Sequence, residues 1–278
     1  MGPTTPASPI KGVDITLFGR PRQLQSFTGK NRGSKTDQRA HELAPFREPI
    51  TIVPMLRSPK SIFFDVGNTL LFPSRRRILA PLHARKVVPT AEHLRALERR
   101  TKREFDVMME GKSGADHSFW FIFYSHLLED LGIDDENLRN SLVEATRMSA
   151  NWDVIKPGTC EALQKIGRRY RIGVISNADG KIAEILQHCG IYGCFMSITD
   201  SGIVGKEKPH PAIFEAAMQA LDAHPEESLY VGDVYSVDYL GATRAGMQAL
   251  LFDVAGAYRE SGLPRVESLE QLQEKLGV

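Results

Sequence analysis

Four short polar motifs follow apolar runs along this 278-residue chain, in the order carboxylate, hydroxyl, ammonium, carboxylate. The motifs are Asp65-Val66-Gly67-Asn68-Thr69, Ser176-Asn177, Lys208-Pro209-His210-Pro211, and Asp233 followed by Asp238. A nucleophilic carboxylate, a hydroxyl donor, a fixed ammonium group and acidic ligands for a divalent cation are what metal-assisted phosphoryl transfer requires. The motifs therefore predict phosphoryl chemistry if the fold brings them to one place.

Each motif also has an ordinary structural explanation when it is considered alone. An aspartate after an apolar strand, such as Asp65 or Asp233, is commonly a turn or capping residue. Ser176 could cap the next helix, and Lys208 could be a solvated loop residue. One shared site explains all four motifs, whereas the ordinary explanation needs four separate coincidences.

The apolar runs before the motifs have the pattern of buried parallel strands. Ile62 to Phe64 is wholly apolar and ends at Asp65, and further strands are predicted at residues 171–175, 195–199, 228–231 and 248–252. Helices are predicted between the strands at residues 159–169, 181–188, 211–221 and 237–245. This alternation predicts an α/β fold with a Rossmann-like parallel sheet in three layers. Such sheets bind ligands at the carboxyl ends of their strands.

Residues 76–153 contain no strand pattern and predict an α-helical domain inserted between the first and second strands. Apolar residues fall at helical spacing twice: Leu94, Leu97, Phe105 and Met108 after Pro89-Thr90, and Leu138, Leu142, Ala145 and Met148 after Asp134. The stretch from Phe119 to Tyr124 is apolar on all sides and is predicted to fill the centre of this insert rather than to contact substrate. The predicted domains are a disordered basic tail (1–58), an α/β core (59–75 and 154–278) and the helical insert (76–153).

The motifs together resemble those of the haloacid dehalogenase (HAD) superfamily of hydrolases, over residues 61–255. The family's four motifs are matched, in order, by Asp65-x-Gly67-x-Thr69, Ser176, Lys208, and the pair Asp233 and Asp238. The insert between the first two motifs resembles the α-helical C1 cap of the HAD-IA-like subgroup. The resemblance therefore implies a core domain with a helical cap that closes over the substrate.

The resemblance also implies a role for each motif residue. Asp65 would attack phosphorus and form an aspartyl phosphate, Ser176 would hydrogen-bond the phosphoryl group, and Lys208 would neutralise charge between them. The implied cofactor is Mg²⁺ and the implied partner is a small phosphorylated substrate. The other assignments are substrate or phosphate contacts at Asn68, Thr69 and Asn177, and a metal site from Asp65, the Gly67 carbonyl, Asp233 and Asp238. Asp238 is expected there as an anchor for Lys208 or a metal-bound water.

Gly67 stands where phosphatases of this superfamily have a second aspartate, the general acid. Losing positioned acid–base help costs about 10²–10⁴-fold in rate. Turnover without it would need an activated leaving group, or a proton from the substrate or a cap residue. His117, His126 and Asp116 are candidates only because they can transfer protons, and a surface or core role is the simpler expectation for each.

The resemblance favours a phosphomonoester phosphatase, with two alternatives left open. A carbon–phosphorus hydrolase has a small residue at the Gly67 position and uses a cap lysine as a Schiff base, for which Lys86, Lys102 and Lys112 are the candidates; none lies in an apolar run that would lower its pKa. A catalytically impaired binding or regulatory protein is the second alternative. Dehalogenation is disfavoured because it needs no acidic fourth motif. A dinucleotide site is disfavoured because no Gly-x-Gly-x-x-Gly follows a strand.

The composition is typical of a globular protein, with 42% hydrophobic and 25% charged residues. Net charge is +1, but residues 1–60 hold ten basic and four acidic residues, which leaves 25 basic against 30 acidic in the remainder. No nucleic-acid surface is therefore expected on the body of the chain. Three cysteines without a C-x-x-C pair favour a reducing, cytoplasmic location, and no apolar run reaches the roughly 20 residues that span a bilayer. The sequence leaves the choice between monomer and homodimer open.

Overall fold

The computed structural model describes residues 58–112 and 114–278. The predicted tail, residues 1–58, lies outside this part of the chain except for Ser58. Within the described residues the strands are β1 (Ser61–Phe64), β2 (Leu71–Phe72), β3 (Val154–Ile155), β4 (Arg171–Ser176), β5 (Ser197–Asp200), β6 (Ser228–Gly232), β7 (Gln248–Phe252) and β8 (Arg265–Val266). Six of them form a parallel sheet in the order β5-β4-β1-β6-β7-β8, and β2 pairs with β3 in an antiparallel ribbon.

Helices cover both faces of the sheet. In chain order they are α1 (Arg75–Ile78), α2 (Ala80–Ala84), α3 (Ala91–Met108), α4 (Phe119–Asp130), α5 (Glu136–Arg147), α6 (Thr159–Gly167), α7 (Ile182–His188), α8 (Ser201–Val204), α9 (Pro211–Ala220), α10 (Leu240–Arg244) and α11 (Leu269–Leu276). Successive strand residues point to opposite faces. Ile62 and Phe64 of β1 accordingly pack with α6, α7 and α11, while Phe63 packs with α9 and α10. The predicted three-layered α/β fold is confirmed.

The strand register explains why the polar motifs converge. Phe64, the last residue of β1, pairs with Val174 of β4 on one side and with Val231 of β6 on the other. Asp65 follows Phe64 directly, whereas Ser176 and Asp233 come two residues after their paired valines. The three central strands therefore deliver three polar side chains to the same carboxyl edge of the sheet.

The helices between β2 and β3 form their own apolar core. Leu82, Leu97, Leu127 and Leu142 from four helices are almost fully buried together in this cluster. Thr90 begins α3 by accepting a hydrogen bond at Oγ1 from the His93 N–H (3.1 Å), as a helix N-cap does. Because β2 and β3 pair with each other, the helical segment leaves and re-enters the core at neighbouring points.

Several element boundaries differ from the sequence prediction. Strand β5 starts at Ser197 rather than at residue 195, because a short 3₁₀ turn, Tyr192–Cys194, precedes it. The helix predicted at 237–245 is a π-helical turn, Tyr235–Tyr239, that continues into α10. The strand β8 and the helix α11 were not predicted at all.

Two predicted core positions of the insert are wrong. Met148 is 55% exposed because α5 ends at Arg147 and Met148 continues in an extended conformation. Phe121 is 42% exposed, with the Arg139 guanidinium 4.2 Å from its ring centroid, so the aromatic stretch is not buried on all sides. Phe123 and Tyr124, on the inner side of α4, are buried as predicted.

Across residues 58–112 and 114–278, the longest and most apolar helices still fall short of what is needed to cross a membrane.

Candidate active site

The site lies at the carboxyl edge of β1, β4 and β6. After Asp65 the chain turns tightly, with the Leu70 and Leu71 N–H groups both donating to the Val66 carbonyl (2.9 Å each). This turn leaves Asn68 in the left-handed region (φ 53°). Thr69 lies next to it, and its hydroxyl donates to Asp65 Oδ2 at 3.4 Å. The first motif therefore folds back on its own carboxylate.

Lys208 is the centre of a buried polar network. Its Nζ lies 2.5 Å from Asp65 Oδ1, 2.8 Å from Asp238 Oδ1 and 2.7 Å from the Tyr230 hydroxyl. All four side chains are at least 90% buried. Charge-assisted hydrogen bonds of this length are strong in such surroundings. One ammonium group thus connects the first, third and fourth motifs.

Asn177 holds the main chain of Lys208 in place. Its Oδ1 accepts from the Lys208 N–H (2.7 Å), and its Nδ2 donates to the Lys208 carbonyl (2.9 Å). The sequence-based assignment of Asn177 to substrate stays a prediction, since both ends of its amide serve this loop here. The observed role is to position the lysine.

Asp238 reaches Lys208 because the fourth motif has a tight local geometry. Its Oδ2 accepts from the Val234 N–H at 2.9 Å, and its carboxyl group packs against the backbone of Gly232. A Cβ on Gly232 would lie 2.5 Å from the Asp238 carboxyl carbon, so any side chain at position 232 would displace the carboxylate. The glycine is therefore required for the Lys208–Asp238 ion pair.

Burial and charge act in opposite directions on the ionisable groups of this site. Burial raises the pKa of Asp65 to about 6, although the Lys208 charge opposes the shift. Burial also raises the pKa of Asp233 to about 7, against the effect of Lys102. For Lys208, burial would lower the pKa, but Asp238 and Asp65 outweigh it and the pKa is raised. Lys208 is thus held as a cation.

Three carboxylates are close enough to share a cation. One oxygen from each of Asp65, Asp233 and Asp238 lies within 4.8 Å of the others. Asp233 Oδ2 is buried and has the Lys102 ammonium 2.8 Å away. Three buried carboxylates that approach one another this closely are the oxygen ligands that a hard divalent cation such as Mg²⁺ prefers.

The place of the missing second carboxylate is covered by an aromatic ring. A Cβ on Gly67 would meet three atoms of the Trp152 ring, at 3.4 to 3.7 Å. Trp152 is itself fixed, since its Nε1–H donates to the Thr146 carbonyl at 2.6 Å. A side chain at position 67 would therefore begin in contact with this indole.

Ser176 is 4% exposed and is the last residue of β4. It lies beside the end of β1. Its side chain is thus at the carboxyl edge of the sheet, next to the first motif. The assignments of Ser176, Asn68, Thr69 and the Gly67 carbonyl to phosphate or metal stay predictions.

Lys102 belongs to this site, although the sequence analysis named it only as one of three candidate Schiff-base lysines of a carbon–phosphorus hydrolase. It comes from α3 of the insert, is 1% exposed, and its Nζ lies 2.8 Å from Asp233 Oδ2 and 2.9 Å from Glu98 Oε1. Burial would lower the pKa of Lys102, but Asp233 and Glu98 outweigh it and the pKa is raised. The spacing could have predicted that Lys102 is buried. It lies eight residues after Leu94 and three before Phe105, and so falls on the apolar face of α3.

A small cavity of about 40 Å³ lies where the insert meets the first motif. Asn68, Pro73 and Arg75 line it from the core side, and the insert contributes the side chains of Leu94, Glu98, Trp120, Phe123, Tyr124 and Thr146, among others. The aromatic stretch of α4 therefore both packs the insert and faces the site. Burial raises the pKa of the Tyr124 phenol, which is paired with Thr146, to about 12.

The other proton-transfer candidates do not join this cluster. His117 is largely exposed and lies 3.6 Å from Glu207. His126 pairs with Glu104 at 2.6 Å, and Asp116 accepts from the Ser118 N–H as a local turn. All three have the surface or local roles that were the simpler expectation.

Comparison with known proteins agrees with the motifs. The model of haloacid dehalogenase-like hydrolases matches residues 59–246. The glyceraldehyde 3-phosphate phosphatase of Methanothermobacter thermautotrophicus is 32% identical over 196 residues, covering 69% of this chain and 84% of that protein. The protein of the same name from Methanopyrus kandleri is 29% identical over 195 residues, 68% of this chain and 81% of that one.

Two further similarities are more limited. Haloacid dehalogenase-like hydrolase domain-containing protein 3 of Xenopus laevis is 32% identical over 125 residues, which are 43% of this chain and 51% of that protein. The magnesium-bound structure of YfnB from Bacillus subtilis has a TM-score of 0.59 at 17% identity, covering 80% of this chain and 100% of that one. At this identity the structural similarity shows a shared fold.

Proposed function

Because this chain belongs to the haloacid dehalogenase-like hydrolase family, we propose that it is a Mg²⁺-dependent phosphatase acting on a small phosphorylated metabolite. The observation that supports this most directly is the ion-pair chain Asp65–Lys208–Asp238, with the carboxylate of Asp233 beside it. A nucleophilic carboxylate next to a fixed ammonium and a cation-binding cluster suits attack on a phosphate dianion.

In the proposed reaction, a carboxylate oxygen of Asp65 attacks phosphorus as the ester P–O bond breaks. Lys208 offsets the negative charge that gathers between Asp65 and the phosphoryl group, and the Ser176 hydroxyl donates to a phosphoryl oxygen. Water then attacks the aspartyl phosphate, which releases inorganic phosphate and restores Asp65. Mg²⁺, held by Asp65, the Gly67 carbonyl, Asp233 and the nearby Asp238, would neutralise phosphoryl charge.

The leaving oxygen must obtain its proton elsewhere than from position 67. Water or the substrate can supply it, and Glu98 is an acidic side chain of the insert that lines the cavity beside Asn68. We therefore expect turnover to depend strongly on how readily the leaving group departs as an anion.

The proposed substrate class rests on relatives. Two similar proteins are named glyceraldehyde 3-phosphate phosphatase. Their names favour a short phosphorylated metabolite. A triose phosphate is the first compound to try.

The test is hydrolysis of p-nitrophenyl phosphate and of a panel of short sugar phosphates, with Mg²⁺ or with EDTA. Wild type should release phosphate only with Mg²⁺, and Asp65→Asn should be inactive while folded. Asp134→Asn, at an exposed carboxylate of the insert, serves as the matched control and should remain active. Full activity of Asp65→Asn would remove Asp65 as the nucleophile, and no turnover in wild type would favour the binding-protein alternative.

Carbon–phosphorus cleavage is the weaker candidate. It needs an uncharged lysine amine to form a Schiff base, and Lys102 is the insert lysine that contacts the acidic cluster. Its pKa is raised by Asp233 and Glu98 in spite of burial, so it is held as an ammonium and is a poor nucleophile.

A further inference from the structure

The buried Lys102 has no part in the reaction outlined above, yet it contacts a residue of the cation cluster. Its ammonium lies 2.8 Å from the buried Asp233 Oδ2. The cation that this oxygen contacts in the structure is therefore the lysine. Lys102 therefore contacts the carboxylate of Asp233, which we infer to be a metal ligand.

The helix that carries Lys102 is firmly docked on the core. Asp106, one turn further along α3, accepts from the Ser236 N–H (2.9 Å) and from the Tyr258 hydroxyl (2.8 Å). Arg99 donates to the Ala255 carbonyl at 3.1 Å. These contacts hold α3 against the fourth motif, so the approach of Lys102 to Asp233 follows from the docking of the helix.

If a divalent cation and the Lys102 ammonium both contacted Asp233, their mutual repulsion would oppose binding of the metal. Two cations that share one carboxylate repel each other, and burial strengthens the repulsion. Lys102 has an alternative partner in Glu98, 2.9 Å away on the same helix. The side chain can thus leave Asp233 without losing all of its ionic contacts.

We propose that Lys102 is an internal counter-ion of the metal site, which occupies Asp233 in the metal-free protein and is displaced when Mg²⁺ binds. The proposal rests on the proposed function for the identity of the metal. Mg²⁺ binding then breaks one of the contacts between α3 and the core. The docked insert and the metal compete for the same carboxylate, and Lys102 lowers the affinity for Mg²⁺.

The test is calorimetric titration of MgCl₂ into the EDTA-treated full-length chain. Lys102→Met removes the ammonium and keeps an unbranched side chain, and Lys112→Met is the control, because Lys112 is an exposed lysine of the same insert. Coupling between two bound species is commonly about 5- to 150-fold. We expect Lys102→Met to bind Mg²⁺ at least about fivefold more tightly than wild type, and Lys112→Met to match wild type.

Unchanged or weaker Mg²⁺ binding by folded Lys102→Met would overturn the inference while leaving the phosphatase proposal intact. Failure of wild type itself to bind Mg²⁺ would instead overturn the metal dependence of the proposed function. Removing one partner of a buried ion pair can prevent folding. If Lys102→Met does not fold, Glu98→Gln/Lys102→Met, which removes one charge of each sign from this pair, takes its place with the same expected gain.

Discussion

At the scale of single residues, Gly67 and Trp152 together define what is unusual about this site. Gly67 has no carboxylate, and the Trp152 indole lies in contact with the place where the Cβ of a side chain at position 67 would be. An aspartate at position 67 would therefore have to share this space with the Trp152 ring.

Two substitutions at position 67 should behave differently. Gly67→Ala adds only a Cβ at ordinary contact distance from Trp152, 3.4 Å, so the free energy of unfolding should change by less than about 1 kcal/mol. Gly67→Asp drives a carboxylate against the indole and should cost about 1–3 kcal/mol, as overpacking does. Urea titrations of both variants measure this. Equal stability of the two variants would show that the Trp152 ring moves aside at little cost. Gly67→Asp would then be expected to hydrolyse esters with poor leaving groups faster than wild type.

At the scale of elements, α3 does more than form part of the insert. Its polar residues Glu98, Lys102 and Asp106 recur every four positions, so they share one face, and that face meets the fourth motif. An otherwise amphipathic helix thus carries a charged stripe, of which Lys102 and Asp106 are buried. This stripe joins the insert to the acidic cluster.

The buried carboxyl group of Asp106 should leave a mark on how stability depends on pH. Burial raises its pKa, although Ser236 and Tyr258 donate to it, so the folded chain holds its proton to a higher pH than the unfolded chain does. Its contribution to stability is full below the ordinary value of 3.8 and is lost as pH rises through the raised pKa.

The matched comparison is wild type against Asp106→Asn, which cannot ionise. We expect the stability of wild type relative to the variant to fall as pH rises from about 4 through the raised pKa. Urea unfolding of both proteins across this range measures the difference, and all other titrating groups cancel. A difference that does not change with pH would mean that Asp106 is not perturbed.

The sequence predicted those parts of the site that depend on local pattern. Asp65, Ser176 and Asp233 come directly at the ends of strands, so an apolar run followed by a polar residue was enough to find them. Trp152 was missed, and Lys102 was only one of three candidate lysines, because their positions depend on how the insert docks on the core, which no local period describes. Strand β8 has only two residues, too few to give a pattern.

At the scale of the whole molecule, metal binding should stabilise the folded chain. A ligand that binds only the folded state adds about 2.7 kcal/mol at 100 times its dissociation constant. For a chain of this size that corresponds to a rise in Tm of roughly 5–10 °C. Thermal unfolding with MgCl₂ and with EDTA should show this rise in wild type. Asp233→Asn should lose most of it, and an equal rise in that variant would place the cation elsewhere.

The sequence holds two tryptophans, Trp120 and Trp152, and their ring centroids lie 5.6 Å apart. One lines the cavity and the other covers Gly67. All of the indole fluorescence of this protein therefore arises at the wall of the candidate site. Emission intensity can follow the arrival of an ion or a substrate in real time, with no label attached and with no other indole contributing background.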